Sequence, residues 1–216
     1  MNNDFTKILS SLSENDYYEN ANFHIHSTCS DGLLSPEAII KNAVKLNLKY
    51  ISITDHNTLD AYKSFDCFNQ ANLQVITGVE FDCWHKGTLL HILGYGVDIN
   101  NKELNSLCGK KNIEKRADVV RFFNQRGAKQ VIDFIKKAGG TAILAHPGCT
   151  LRIGFKHFVK ELKSYGLDGL EVYYPYKNYK KLINIHNRKK LLELCKGLDL
   201  YASGGSDCHG IDLRLR

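Results

Sequence analysis

No two cysteines in this chain are spaced C-x-x-C, although there are seven of them (Cys29, Cys67, Cys83, Cys108, Cys149, Cys195 and Cys208). That lack excludes a zinc knuckle and a dithiol redox motif, and an odd, scattered set reads as reduced thiols. No stretch long enough to span a bilayer is free of charge, and the N-terminus, MNNDFTKILSSLSEND, has no basic-then-apolar leader pattern. The expectation is a cytoplasmic protein with no membrane partner. Nor does a linker or low-complexity segment divide the chain. Its 216 residues, 43% hydrophobic, are therefore expected to form a single domain over one core. Positive charge is in modest excess, at a formal +6, but it is spread, clustering only in GKKNIEKR, YKNYKK and NRKK. Solvated helix faces are the first reading of such runs and steering of a phosphate-bearing ligand the functional alternative; neither establishes nucleic-acid binding.

What the chain has is alternation. Short apolar runs at 21–26, 49–54, 73–81, 88–96, 141–146, 168–174 and 199–205 read as seven strands, and 3.6-residue periodicity reads as helices between them. Ser35 caps and Pro36 opens a helix with Ile39, Ile40, Ala43 and Val44 inward; others fit 58–70, 101–124, 129–138, 156–165 and 178–196. The fold class is α/β, a parallel sheet with helical crossovers, open or closed into a barrel. Residues 1–20 are read as an N-terminal extension before a domain at 21–216.

Histidines and carboxylates fall where these strands end. His24, His26 and Asp31 close the first strand, His56 the second, Glu80 the third and His146 the fifth; His91 lies on the fourth, and Asp207 and His209 follow the seventh. Side chains two apart on a strand share a face, so His24 and His26 can chelate one ion, and the spacing recurs at Asp207 and His209. Loops at the C-terminal ends of parallel strands carry the chemistry of α/β folds. Singly, each residue has a bland reading: an isolated H-x-H is more often incidental, and the glycines of SDG and GGSD can simply serve turns. Their coincidence argues for one metal site. Nitrogen and oxygen donors without thiolate suit manganese, iron or zinc. His85, His157 and His186 sit in loop or helix segments and are read as unrelated to it.

The series HIHSTCSDGLLSPEAII, YISITDHNTLDAY, GVEF, HILGYG, AILAHPG, GLDGLEVYYP and GSDCHG resembles the PHP (polymerase and histidinol phosphatase) family of metal-dependent phosphoesterases, from about residue 22 to 210. The resemblance implies a distorted seven-stranded (β/α) barrel and a site for up to three divalent ions. It implies that His24, His26, Glu80 and Asp207 hold one ion, Glu80, His91 and His146 a second, and Asp31, His56 and His209 a third. Three ions against three carboxylates leave a formal excess of about three positive charges. The expected reaction is phosphate-monoester hydrolysis by a metal-bridging hydroxide, with Asp31, His56, Glu80 and His209 as the catalytic set. Ser27, Cys29 and Cys208 lie nearby outside any nucleophile motif and take supporting or neutral roles. Asp55 is either an orienter of the metal ligands or a capping aspartate.

Among members of the family, these motifs most resemble small phosphoesterases acting on nucleotides, such as 3′,5′-nucleoside bisphosphates and short RNA 5′ ends. The chain departs from them in a shortened insertion around 97–140 and in ending soon after His209, which implies a more open site or one completed by another subunit. Arg116, Arg121 and Arg152 are the expected phosphate clamps. Tyr173, Tyr174 and Tyr176 either stack a base or pack the rim. The alternatives are a histidinol-phosphate or sugar-phosphate phosphatase and a non-catalytic metal-stabilised module.

Overall fold

Seven strands lie side by side in sequence order in one sheet: β1 (Ala21–Ile25), β2 (Tyr50–Ile53), β3 (Gln74–His85), β4 (Thr88–Tyr95), β5 (Thr141–Leu144), β6 (Gly169–Tyr173) and β7 (Tyr201–Gly204). The computed structural model describes residues 4–63, 72–110, 126–150, 152–176 and 187–215. The helices among them are α1 (Asp4–Ser11), α2 (Asp16–Glu19), α3 (Pro36–Lys45), α4 (Lys102–Ser106), α5 (Ala128–Lys137), α6 (Phe155–Ser164) and α7 (Arg188–Leu198). The edge strands β1 and β7 meet just beyond the end of β7. There the Cys208 amide donates to the His24 carbonyl at 3.2 Å, and the His26 amide donates to the Cys208 carbonyl at 2.9 Å.

The α/β class and the seven strands are those expected, but the sheet is not parallel throughout. β4 runs antiparallel to both β3 and β5. The reason is the turn: only Lys86 and Gly87 separate His85 from its partner Thr88, and both have positive φ, 48° and 73°. Two such residues make a tight hairpin, whereas a parallel crossover needs a dozen or more. β3 consequently runs four residues past the expected end at 81.

The helix at 36–45 forms as expected, with the Ser35 hydroxyl accepting from the Ala38 amide. Its buried arc is Pro36, Ile39, Ile40 and Ala43, while Val44 lies beyond the arc's edge and is 43% exposed. The helix expected at 101–124 stops at Ser106, and the one expected at 58–70 begins as a 3₁₀ turn at Asp60–Tyr62; residues 64–71, 111–125 and 177–186 lie outside those described.

Two apolar clusters flank the sheet. One joins outward strand residues to α3, α5, α6 and α7. The other gathers Phe5, Ile8 and Leu9 of α1 with Tyr17, Phe23, Ile76, Leu93, Tyr95 and Ile143. Strand alternation puts Ile76 on the face of Glu80, and Leu93 on that of His91. The N-terminal helix, read from sequence as an extension, thus seals the same face of the sheet that carries the site. Phe5 is 1% exposed, with its ring 4.5 Å from Tyr95 and 5.0 Å from Phe23. Phe5→Ala should cost about 3–5 kcal/mol, the scale of a large-to-small change in a core. Urea unfolding measures it, and a loss under about 1 kcal/mol would show α1 to be dispensable.

Candidate metal centre

β1 delivers the first two side chains. Its pairing with β2 shifts register between Asn22 and Ile25, and the His24 and His26 rings converge until their Nε2 atoms are 3.1 Å apart. Close approach of other backbone keeps them there: a Cβ built on Gly205 would lie 2.4 Å from the His24 Cβ, and one on Gly32 2.1 Å from the His26 carbonyl oxygen. These two glycines are required by crowding, beyond any service to turns. Glu80 from β3 and Asp207 from the loop after β7 complete the first group. Glu80 Oε2 lies 3.2 and 3.3 Å from the two Nε2 atoms, and Asp207 Oδ1 lies 3.3 and 3.1 Å from them.

The other Glu80 oxygen begins a second group. Oε1 is 3.1 Å from His91 Nδ1 and 3.2 Å from His146 Nε2, and those nitrogens are 3.2 Å apart. Asp31 anchors a third, with Oδ1 at 3.4 Å from His209 Nε2 and 3.6 Å from His26 Nδ1, and Oδ2 at 4.0 Å from His56 Nε2. The nine residues expected as metal ligands therefore meet in one place. His146 and Asp207 hold positive φ, 28° and 51°. For residues other than glycine that conformation costs of order 1–3 kcal/mol, and such strain concentrates where side chains must be aimed.

Two buried carboxylates were not foreseen. Glu171 on β6 accepts from His24 Nδ1 at 2.9 Å and from the His146 amide at 2.7 Å, so the His24 proton sits on Nδ1 and Nε2 faces the cluster. Asp82 on β3 lies opposite His91 in the hairpin register. Alternation from Glu80 along β3 was the signal for Asp82, since residues two apart share a face.

Asp55 takes the capping role. It accepts from the Ser27 amide and hydroxyl at 2.7 and 2.6 Å and from the Ser30 hydroxyl at 2.6 Å, tying down the loop that carries Asp31. Ser27 is thereby engaged as a donor. Tyr174 donates to Asp207 at 2.8 Å, Tyr176 donates to the Glu171 carbonyl at 3.0 Å, and Tyr173 stacks on Tyr17 at 4.4 Å, which is packing and positioning. Arg152 donates to the Lys86 carbonyl and the Thr88 hydroxyl, both at 2.9 Å, and lies over Phe158. Its hydrogen bonds brace the hairpin turn and do not reach the histidines. Arg116, Arg121 and His186 lie outside the described residues. His85 packs against Phe158 and Glu161, and His157 is exposed, both away from the centre.

The donor set fits divalent cations. His26 Nδ1, His56 Nδ1 and Asp82 Oδ1 are buried without a hydrogen bond, and paired imidazole nitrogens at 3.1 Å need a proton or a cation between them. In the metal-free protein that cation is a proton. Burial pulls the His26 pKa down, but hydrogen bonds to Asp207 and Glu80 outweigh it and raise it to about 9. Burial likewise opposes the shift at His24, where Glu171, Glu80 and Asp207 still raise it well above the ordinary value. Burial pushes Asp31 up, yet His209, His56 and His26 hold it down at about 2.

A family model described as the PHP domain matches residues 22–204. The chain belongs to the PHP domain family. PHP phosphoesterases are metal-dependent hydrolases of phosphoric esters, and this chain is an enzyme of that class. It is 24% identical to the 5′-3′ exoribonuclease Rnm of Salmonella typhimurium, over 92% of this chain and 88% of that protein. It is 23% identical to the phosphoribosyl 1,2-cyclic phosphate 1,2-diphosphodiesterase of Eggerthella lenta, over 87% and 93%. In fold it resembles an amidohydrolase from Chromobacterium violaceum, solved with sulfate and no metal, with a TM-score of 0.72, 18% identity and 88% of each chain covered.

The pKa shifts set opposite pH dependences for the two forms. A histidine with its pKa raised from about 6.5 to about 9 stabilises the folded metal-free protein fully below 6.5, and that contribution disappears as pH rises to 9. Asp31 contributes above its unfolded value near 3.8 and loses its contribution as pH falls through about 2. Chelator-stripped protein should therefore melt at its highest temperature between these windows and lose stability from pH 6.5 to 9. Stabilisation by added manganese should grow over that same range, because ions need deprotonated imidazole. Paired thermal melts check this, and a metal-free melting temperature that rises from pH 6.5 to 9 would contradict it.

Proposed function

We propose that the chain hydrolyses phosphate esters of nucleotides, with nucleoside monophosphates or 3′,5′-bisphosphates as monoester substrates. The observation that carries this reading is Glu80, 1% exposed, whose two oxygens face separate histidine groups and so join them into one multi-ion centre. In it, His24, His26, Glu80 and Asp207 would hold one ion, Glu80, His91 and His146 a second, and Asp31, His56 and His209 a third. Manganese, iron and zinc all suit the donors. Bound there, they supply Lewis acidity that neutralises phosphoryl oxygens and lowers the pKa of coordinated water toward about 7.

The chain's own residues do the rest. His209, 40% exposed at its side chain, and Asp31, 24% exposed, form the open side of the centre. His209 Nδ1 lies 3.0 Å from the Asp207 carbonyl oxygen, which places its proton there and leaves Nε2 as the basic atom toward Asp31. A groove of about 730 Å³ starts at His91 and His146 and runs between Trp84, Thr88, Cys149 and Thr150. Its size admits the nucleoside part of a substrate whose phosphate sits on the ions. The six described cysteines are free thiols, which supports a reducing, cytoplasmic setting. Among the described residues no helix is long and apolar enough to cross a membrane.

A second reading, cleavage of a phosphodiester at a short RNA 5′ end, is favoured by the names of the curated relatives, an exoribonuclease and a cyclic-phosphate diphosphodiesterase. A panel of adenosine monophosphate, a 3′,5′-bisphosphate, a short oligoribonucleotide and histidinol phosphate decides among these. A nucleotide should exceed histidinol phosphate in kcat/KM by at least about tenfold, or about 1.4 kcal/mol. Histidinol phosphate winning would overturn the nucleotide assignment.

Trp84 is the chain's one tryptophan, so its fluorescence reports on the groove. Adenosine monophosphate should change that emission saturably in manganese-loaded protein, while inorganic phosphate should leave most of it unaltered. Equal responses to both would remove the groove from the binding site.

A further inference from the structure

The geometry points to Asp82 as a positioning residue that takes the ring protons of His56 and His91 and so keeps the lone pairs of Glu80 for the ions. The inference rests on the metal reading above. Asp82 is 0% exposed, and its Oδ1 has no hydrogen bond although it lies 3.3 Å from His56 Nδ1 and 3.4 Å from His91 Nε2. His56 Nδ1 is buried and likewise without a hydrogen bond.

The tautomers follow from what the opposite ring atoms face. His91 Nδ1 looks into the group with Glu80 and His146, so as a neutral ligand it carries its proton on Nε2, the atom next to Asp82. His56 Nε2 looks toward Asp31, which leaves its proton on Nδ1. That Nδ1 is 3.3 Å from Asp82 Oδ1 and equally 3.3 Å from Glu80 Oε2. A neutral imidazole has a single N–H, and a carboxylate oxygen that accepts it has one lone pair fewer for a cation. Without Asp82 the His56 proton falls to Glu80, the one carboxylate that two groups share. With it, a single oxygen with two lone pairs serves both rings.

A strut holds that oxygen in place. Asp82 Oδ2 accepts from Asn57 Nδ2 at 2.9 Å, and Asn57 Oδ1 accepts from Arg126 Nη2 at 2.6 Å. Arginine only donates, so this contact fixes which end of the Asn57 amide faces Asp82. Arg126 is 5% exposed, donates to the Leu107 carbonyl and lies over the Phe81 ring at 5.4 Å. Asn57 holds φ 55°, a conformation asparagine adopts more readily than most side chains. Three buried residues from three segments thus aim one carboxylate oxygen between two histidines. Glu171 performs the same service for His24 through a formed hydrogen bond.

Zinc-loaded protein, which is diamagnetic, allows long-range ¹H–¹⁵N NMR to read which ring nitrogen carries each proton. The wild type should show His56 protonated at Nδ1 and His91 at Nε2. In Asp82→Asn, which keeps the shape but can no longer both accept from the rings and accept from Asn57, coordination still fixes these tautomers, but at least one of the two ring N–H protons should lose its acceptor, moving upfield and exchanging faster with water. The weakest zinc equivalent, measured by chelator competition, should bind about 10–100-fold less tightly. Asp82→Ala should show the same loss, and the isosteric variant carries the test if the alanine form does not fold. Unchanged ring N–H shifts and exchange with unchanged zinc affinity would overturn the assignment. Unchanged ring N–H shifts with a zinc equivalent missing would also overturn it, by making Asp82 a ligand. A wild-type chain that binds no zinc or manganese would overturn the metal reading itself.

Discussion

Six imidazoles and five carboxylates packed mostly out of water can persist only with cations among them, and the rest of the molecule is arranged around that requirement. An ion pair buried without complete hydrogen bonding is a net cost, because desolvation of each charge exceeds what one partner returns. Protons on His24 and His26 meet the requirement in part, which is why carboxylates hold those pKa values up against burial. Three orphaned buried atoms mark where protons do not suffice. Divalent ions remove the shortfall, so this centre is one in which metal binding and folding share the same free energy.

The sheet is built to keep such a cluster rigid. β3 and β4 form a two-residue hairpin whose register sets Asp82 opposite His91 and Phe81 opposite Ile92. One face of that hairpin therefore carries the acid–imidazole pairs, while the other buries Phe81, Cys83, Leu90 and Ile92 in the larger core. A parallel strand fed by a crossover helix would present His91 from a longer, more variable connection. α1 closes the site-bearing face with Phe5, Ile8 and Leu9, so the strands there have apolar support at one end and the charged cluster at the other.

Much of this was legible because strand ends are legible: short apolar runs bounded by turns place His24, His56, Glu80 and His146 without any tertiary information. What escaped has two physical origins. β4's direction was encoded in HKGT, two turn residues between two strands, and a strand count that assumes crossovers passes over it. Asp82 was passed over although Glu80, two residues before it in EFD, already gave its face, whereas Glu171 escaped because the face of an acid within GLEV depends on the strand's pairing. Arg152, expected as a phosphate clamp from its position after AHPG, spends its guanidinium here on the Lys86 carbonyl and the Thr88 hydroxyl of the hairpin.

The two additional carboxylates also alter the charge arithmetic that bears on substrate. With three divalent ions, Asp31, Glu80 and Asp207 alone would leave an excess of about three positive charges, enough for a dianionic monoester and a hydroxide together. Counting Asp82 and Glu171, both 0% exposed and within 3.4 Å of site histidines, lowers the excess to about one. A monoester near neutral pH brings about two negative charges, whereas a diester brings one. An excess of about one equals the charge of a diester, so the centre alone leaves the proposed monoester about one charge short of balance. The choice between the two proposed ester classes thus turns on positive charge supplied from outside the buried centre.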